Sequence, residues 1–132
     1  MAFIRIHTTE KHAVSPYLYM QFMEPLGDSD TSVDAGYDFV KREWRPFLID
    51  KVRELHPSMI RFGGCFASYY HWKEAVGPLR DRVPVYNLNW GGVPFHNEIG
   101  TREIMEFIRA VDAEPLFVVN SESDGRLDWA YP

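Results

Sequence analysis

No second cysteine accompanies Cys65, so this 132-residue sequence has no internal disulfide to brace it. A lone thiol also fits a reducing compartment. No apolar run approaches the roughly 20 residues a membrane helix needs, so no membrane partner is expected. The start, Met1-Ala-Phe-Ile-Arg-Ile-His7, lacks a basic segment followed by an apolar one. No signal peptide is therefore expected, and the predicted location is the cytoplasm. Basic residues are outnumbered, 14 against 19 acidic, and they are scattered; with a net charge of −5 this argues against a nucleic-acid partner. The 5 histidines show no ligand spacing, so no metal site is expected. Gly63-Gly64 is not followed by the lysine of a phosphate loop, and no cofactor is expected. Internal repeats and low-complexity segments are absent as well.

What remains is the composition of one globular domain, 45% hydrophobic, with an aromatic share of 15% that suggests a stacking surface as well as a core. The stretch from Met59 to Trp72 organises it. A short apolar strand delivers Arg61 to two glycines, which permit positive φ or a close approach of the backbone. Tyr69, Tyr70, His71 and Trp72 follow, flat faces with polar edges suited to a sugar ring. The same residues are open to a plainer reading, in which Gly-Gly is a turn and the aromatics are core. Cys65 makes a poor nucleophile, because no base is placed beside it.

In chain order, residues 3–8 alternate apolar and polar as a half-buried strand does. Tyr17 to Met23 reads as a strand buried on both sides, running into Glu24. That carboxylate is either the first chemical signal or a solvated loop residue. Asp34 is placed to cap a helix over Asp38–Trp44. Pro46 interrupts that helix or starts the next, whose face is Leu48, Val52 and Leu55. A strand over Ser58–Arg61 follows. Lys73 to Arg82 reads as a surface loop, Val83 to Trp90 as an extended segment, and residues 93–100 as a second long loop carrying Asn97 and Glu98. Thr101 is the N-cap candidate for a helix with Ile104, Phe107, Ile108 and Val111 on its apolar face. Leu116 to Asn120 is an apolar strand ending in an amide, and a turn over Ser121–Gly125 follows.

The class is α/β. The three buried strands end in Glu24, Arg61 and Asn120, and in parallel α/β architecture the ligand sits beyond the carboxyl ends of the strands. Those residues point to one common site.

Several segments then resemble a known family. Phe22-Met-Glu-Pro-Leu-Gly27 is similar to the Phe-x-Glu-His-Leu-Gly segment of α-L-arabinofuranosidases of glycoside hydrolase family fifty-one. Arg61-Phe-Gly-Gly-Cys-Phe66, then Tyr69-Tyr-His-Trp72, resembles their Arg-Trp-Pro-Gly-Gly-Asn-Phe followed by Tyr-His-Trp. Gly77-Pro78, Asn87-Leu-Asn-Trp90-Gly91, Asn97-Glu-Ile-Gly-Thr101 and Ala113-Glu-Pro through Asn120 continue the match in order over nearly the whole chain. Two departures stand out. The proline before Gly-Gly is missing, which leaves the register of Arg61 open by one residue. Cys65 stands where the family has an amide, and a thiol is a weak donor and acceptor.

The resemblance implies a (β/α)8 TIM barrel carrying a β-sandwich. Residues 1–14 would give a strand to the sandwich, and residues 15–132 would form the first three βα units of the barrel. It implies a substrate site containing Glu24, Arg61, Cys65, His71, Trp90, Asn97 and Asn120. Glu24 would bind arabinose hydroxyls, Trp90 and Asn97 would lie on loops over the sugar, and His71 is read as either a sugar contact or a packed histidine. A complete barrel takes about 250 residues. The acid/base and nucleophile glutamates of a retaining mechanism belong to later strands, so no catalytic residue is expected in this chain. Asn97-Glu98 precedes a helix and is not the family's catalytic pair. Glu122 reads as a loop residue.

The implied activity is hydrolysis of terminal α-L-arabinofuranosyl groups from hemicellulose oligosaccharides. It would need the remainder of the barrel, in the same or a separate polypeptide, and a homo-oligomer is expected. Two other readings stay open: a non-catalytic carbohydrate-binding or assembly subunit, and a xyloside or glucoside in place of the arabinoside.

Overall fold

The computed structural model describes residues 2–9, 11–25, 32–87, 93–95 and 97–121. Its elements are β1 (Gln21–Met23), α1 (Ser32–Gly36), β2 (Tyr37–Asp38), β3 (Glu43–Trp44), α2 (Pro46–Leu55), β4 (Met59–Phe62), β5 (Val85–Asn87), β6 (Val93–Phe95), α3 (Thr101–Ala110) and β7 (Glu114–Phe117). Three strands make a parallel sheet in the order β1-β4-β7. Its register sets Phe22 beside Arg61 and Arg61 beside Leu116, and one residue on sets Met23 beside Phe62 beside Phe117.

Strand side chains alternate between faces, so these two layers point opposite ways. The Ile60/Phe62 face is covered: both residues join Ile104, Phe107 and Ile108 of α3 in the core, with Leu48, Ile49 and Val52 of α2 packed against them. α2 begins at Pro46, whose missing N–H costs nothing in a first turn, and stops where His56 takes a left-handed φ of 48°. The Arg53 Nε donates to the Ala110 carbonyl at 2.6 Å and ties the two helices together. The opposite face carries no helix among the described residues. Phe22 is 65% exposed there and Leu116 39%.

The structure corrects several sequence expectations. The strand expected over residues 3–8 pairs with no strand among the described residues, and Phe3 and Ile4 stand in solvent. The strand foreseen from Tyr17 is shorter: residues 16–19 turn, with Leu18 N–H on the Ser15 carbonyl. β1 pairs on one side only, so it is not buried on both. Asp38–Trp44 is a hairpin, not a helix. Asp38 Oδ1 accepts the N–H groups of Val40 and Lys41 at 3.0 and 2.9 Å, which closes a turn, and Tyr37 packs edge-on against Trp44 at 5.3 Å across the ribbon. Those backbone bonds hold the Asp38 carboxyl below its ordinary value. The strand over Ser58–Arg61 lies one residue later, and the last strand begins at Glu114, two residues early. β7 is an edge strand with a largely exposed face, not one covered on both sides. β5 and β6 pair antiparallel as a separate two-stranded ribbon among the described residues, where an edge position tolerates Pro94.

Candidate functional site

The ends of the three parallel strands converge on Gly63-Gly64. Both glycines have strongly positive φ, 133° and 130°. A Cβ on Gly63 would lie 2.6 Å from the Val118 Cβ, and one on Gly64 would lie 2.2 Å from the Glu24 carboxyl carbon. The turn after β4 is thus threaded between a residue from the end of β1 and one from the end of β7. Only glycine satisfies both the dihedral and the space. The expectation that the glycines serve a close approach holds, and the approaching group is the carboxylate of Glu24.

Glu24 is half-buried. Its Oε1 accepts the Phe66 N–H at 3.4 Å, a long contact at the margin of hydrogen bonding. Phe66 lies in a 3-10 turn over Cys65–Tyr69 whose first residue, Cys65, is exposed. Arg61 stands on the uncovered face, its guanidinium 6.0 Å from the centre of the Phe22 ring. Glu24 and Cys65 thus follow the carboxyl ends of β1 and β4, while Arg61 lies within β4 beside Phe22. Asn120 and Trp72 sit aside from them. They line a cleft of about 240 Å³ with Phe62, Tyr70, Thr101 and Phe117.

The other candidates divide. His71 Nδ1 faces Glu74 Oε1 at 3.5 Å, a local pair on a partly exposed turn. Tyr70 is core rather than display: it is buried, packs on Phe66 at 4.6 Å between ring centres, and burial pushes its hydroxyl well above the ordinary tyrosine value. Asn97, expected over the sugar, is turned inward. It takes the left-handed φ of 55° and donates its Nδ2 to the Val83 carbonyl, so it shapes the turn before α3. Trp90 and Glu122 lie outside the described residues. No group of three metal-binding side chains occurs among the described residues.

Two polar residues with buried partners near the site were not among the sequence candidates for it. Arg82, placed by sequence on a surface loop, is buried. It forms a two-pronged pair with Glu103, 2.9 Å on each prong, and donates to the carbonyls of Gly77, Asn97 and Glu98. The Gly100 N–H donates to Glu103 Oε2 at 2.8 Å, so Gly100, not Thr101, precedes the helix. The Glu103 hydrogen bond pushes Arg82 further up. Burial pushes Glu103 up, but the bonds from Arg82 and Gly100 outweigh it and hold its carboxyl below the ordinary range. Asn87, buried at the end of β5, donates its Nδ2 to the Pro25 carbonyl at 2.8 Å. The sequence signal for these was weak. An arginine beside Gly-Pro and an asparagine in an extended segment are ordinary surface residues until a partner is known.

Comparison with known proteins finds relatives of one kind. The sequence model of the α-L-arabinofuranosidase 1 domain matches residues 51–128. An intracellular exo-α-L-arabinofuranosidase of Bacteroides ovatus is 31% identical over 127 residues, covering 86% of this chain and 23% of that protein. The crystal structure of a glycoside hydrolase family 51 arabinofuranosidase from Xanthomonas axonopodis pv. citri superposes with a TM-score of 0.73 at 31% identity, covering 81% of this chain and 23% of the other. The arabinose complex of the Thermotoga maritima α-L-arabinofuranosidase gives a TM-score of 0.68 at 29% identity, over 86% and 24%. The chain thus spans about a quarter of the length of these relatives.

Proposed function

The chain belongs to the α-L-arabinofuranosidase 1 domain family, and from that premise we propose that it is the N-terminal part of a retaining α-L-arabinofuranosidase. Residues 15–132 are the first three βα units of a (β/α)8 barrel, and residues 1–14 give a strand to a β-sandwich. Parallel strands in chain order with both helices on one face support this reading, because a doubly wound sheet places helices on both faces. The exposed arm at Phe3–Ile6, which has no partner strand among the described residues, supports the sandwich assignment.

In this reading the chain binds and orients, and does not itself cleave. Glu24 accepts hydrogen bonds from arabinofuranosyl hydroxyls, Arg61 and Cys65 flank it, and Asn120, His71 and Trp90 border the outer sugar path. The Asn97 side chain contributes through the turn it shapes. The acid/base and nucleophile, two carboxyls roughly 5–5.5 Å apart, come from the rest of the barrel. The substrate is a hemicellulose oligosaccharide with a terminal arabinofuranose, and the assembled enzyme works in the cytoplasm as a homo-oligomer.

The observation that carries the proposal is the carboxylate of Glu24 seated on Gly64 at the carboxyl end of the sheet. Glu24→Ala in the assembled enzyme should lower kcat/KM for an aryl arabinofuranoside by about 100-fold or more, the loss of a charge-assisted hydrogen-bond partner strengthened in the transition state. An unchanged rate would overturn the assignment. The bare sheet face favours a second reading, a carbohydrate-binding or assembly module acting through another chain. Denaturing intact mass of purified active material separates the two: a lone 15.4 kDa species supports the module, and a larger polypeptide supports the enzyme.

A further inference from the structure

We propose that Asn87 is a positioning residue for Glu24, a role that rests on the reading of Glu24 as the sugar-binding carboxylate. Two supports of the Glu24 position can be compared. On one side are the Gly64 backbone and the Phe66 N–H, the latter at 3.4 Å and therefore weak. On the other is Pro25, the next residue, which is fully buried.

Proline has no N–H, so its only backbone polar group is the carbonyl, and a buried carbonyl requires a donor. Asn87 Nδ2 supplies it at 2.8 Å from a side chain that is itself 0% exposed. Of the two supports the Asn87 contact is the shorter and the better shielded. It therefore does more to set the backbone from which the Glu24 side chain departs.

The anchor is only as good as its own footing, and that footing is itself hydrogen-bonded. Asn87 ends β5. The segment leading into β5 is held where Asn97 Nδ2 meets the Val83 carbonyl. Just before it, Arg82 gathers the Asn97 and Glu98 carbonyls and pairs with Glu103 in the first turn of α3. Hydrogen bonds, joined by the backbone from Val83 to Asn87, thus lead from the start of α3, through the root of the ribbon, to the residue beside Glu24. A residue that only filled a hole would have no such lineage.

The test compares two isotopically labelled variants of the whole chain matched for loss of stability. Asn87→Asp keeps the shape but replaces the donor by an acceptor. Ile108→Ala makes a cavity in the core where α3 packs with Ile60 and Phe62. The proposal predicts that Asn87→Asp shifts the Glu24 carboxyl and Phe66 amide resonances and speeds hydrogen exchange at Phe66 by about five- to tenfold over Ile108→Ala. Equal changes in both variants, or none in either, would overturn it. If Asn87→Asp does not fold, Asn87→Ser, which keeps a hydroxyl donor on a shorter stem, is measured in its place with the same two outcomes. These signals need no sugar. A failure of Glu24→Ala to affect arabinoside hydrolysis would therefore remove the sugar-site reading while leaving the Asn87–Glu24 linkage to stand or fall alone.

Discussion

The two faces of the parallel sheet differ more than any other pair of regions in the molecule. On the helix side Ile60 and Phe62 are 1% and 3% exposed, whereas Phe22, one residue away in register, is 65% exposed on the other. The covered face is a finished core, closed by α2 and α3 and sealed at its rim by the Arg82–Glu103 pair. The bare face has an arginine over a phenylalanine and nothing above it among the described residues. The difference teaches that the fold of this chain is decided on one side of the sheet, and that the other side is left open among the described residues.

That contrast can be tested by substitution. Phe107→Ala on the covered face should cost about 3–5 kcal/mol in urea unfolding, the transfer and cavity terms of a buried aromatic. Arg82→Met should cost about 2–4 kcal/mol, because it strands Glu103 in a largely buried site while also freeing three carbonyls. Gly64→Ala should cost about 1–3 kcal/mol from the left-handed dihedral, and should displace the Glu24 side chain as well. The pH dependence is smaller. Glu103 titrates lower folded than unfolded, so its contribution is full above the unfolded glutamate value of about 4.3 and drains away as pH falls through the lower folded one. Glu103→Gln should flatten that acid limb of stability measured by urea midpoint.

Phe22→Ala should move the unfolding free energy of this chain by no more than about 0.5 kcal/mol. In an assembled barrel the same substitution should become a core deletion of about 3 kcal/mol or more. Equal costs in the two settings would mean that the bare face is never covered.

Much of the covered face was legible in the sequence, because one chemical rule governs it. Ile104, Phe107, Ile108 and Val111 recur at helical spacing and are all buried. Met59-Ile-Arg-Phe62 alternates in burial as a half-covered strand should. Gly63-Gly64 announced its unusual dihedrals by composition alone. The hairpin over residues 37–44 was missed because Asp38 was given no part in a local turn, although its side chain accepts two backbone N–H groups. Aromatic and β-branched residues flanking that aspartate were the available sign.

For the site, local signals placed Glu24 and the glycines but not their supports. Asn87 reaches Pro25 across 62 residues, and Arg82 meets Glu103 across 21. Such pairs leave no mark on periodicity. Asn97 shows the opposite case: a polar residue in a long loop looks available, yet here it has a left-handed φ and a buried side chain.

The glycine pair also limits how this protein can change. Each missing β-carbon is space already occupied by a side chain from another strand, Val118 over Gly63 and Glu24 over Gly64. Trimming residue 24 to make room at position 64 would not license a larger residue there, because the φ of 130° remains. Nor can position 63 grow without evicting the Val118 side chain. Positions 24, 63, 64 and 118 are sterically coupled: a side chain added at either glycine is felt at residue 24 or 118, so a mutational library would have to leave the glycines alone and work around them.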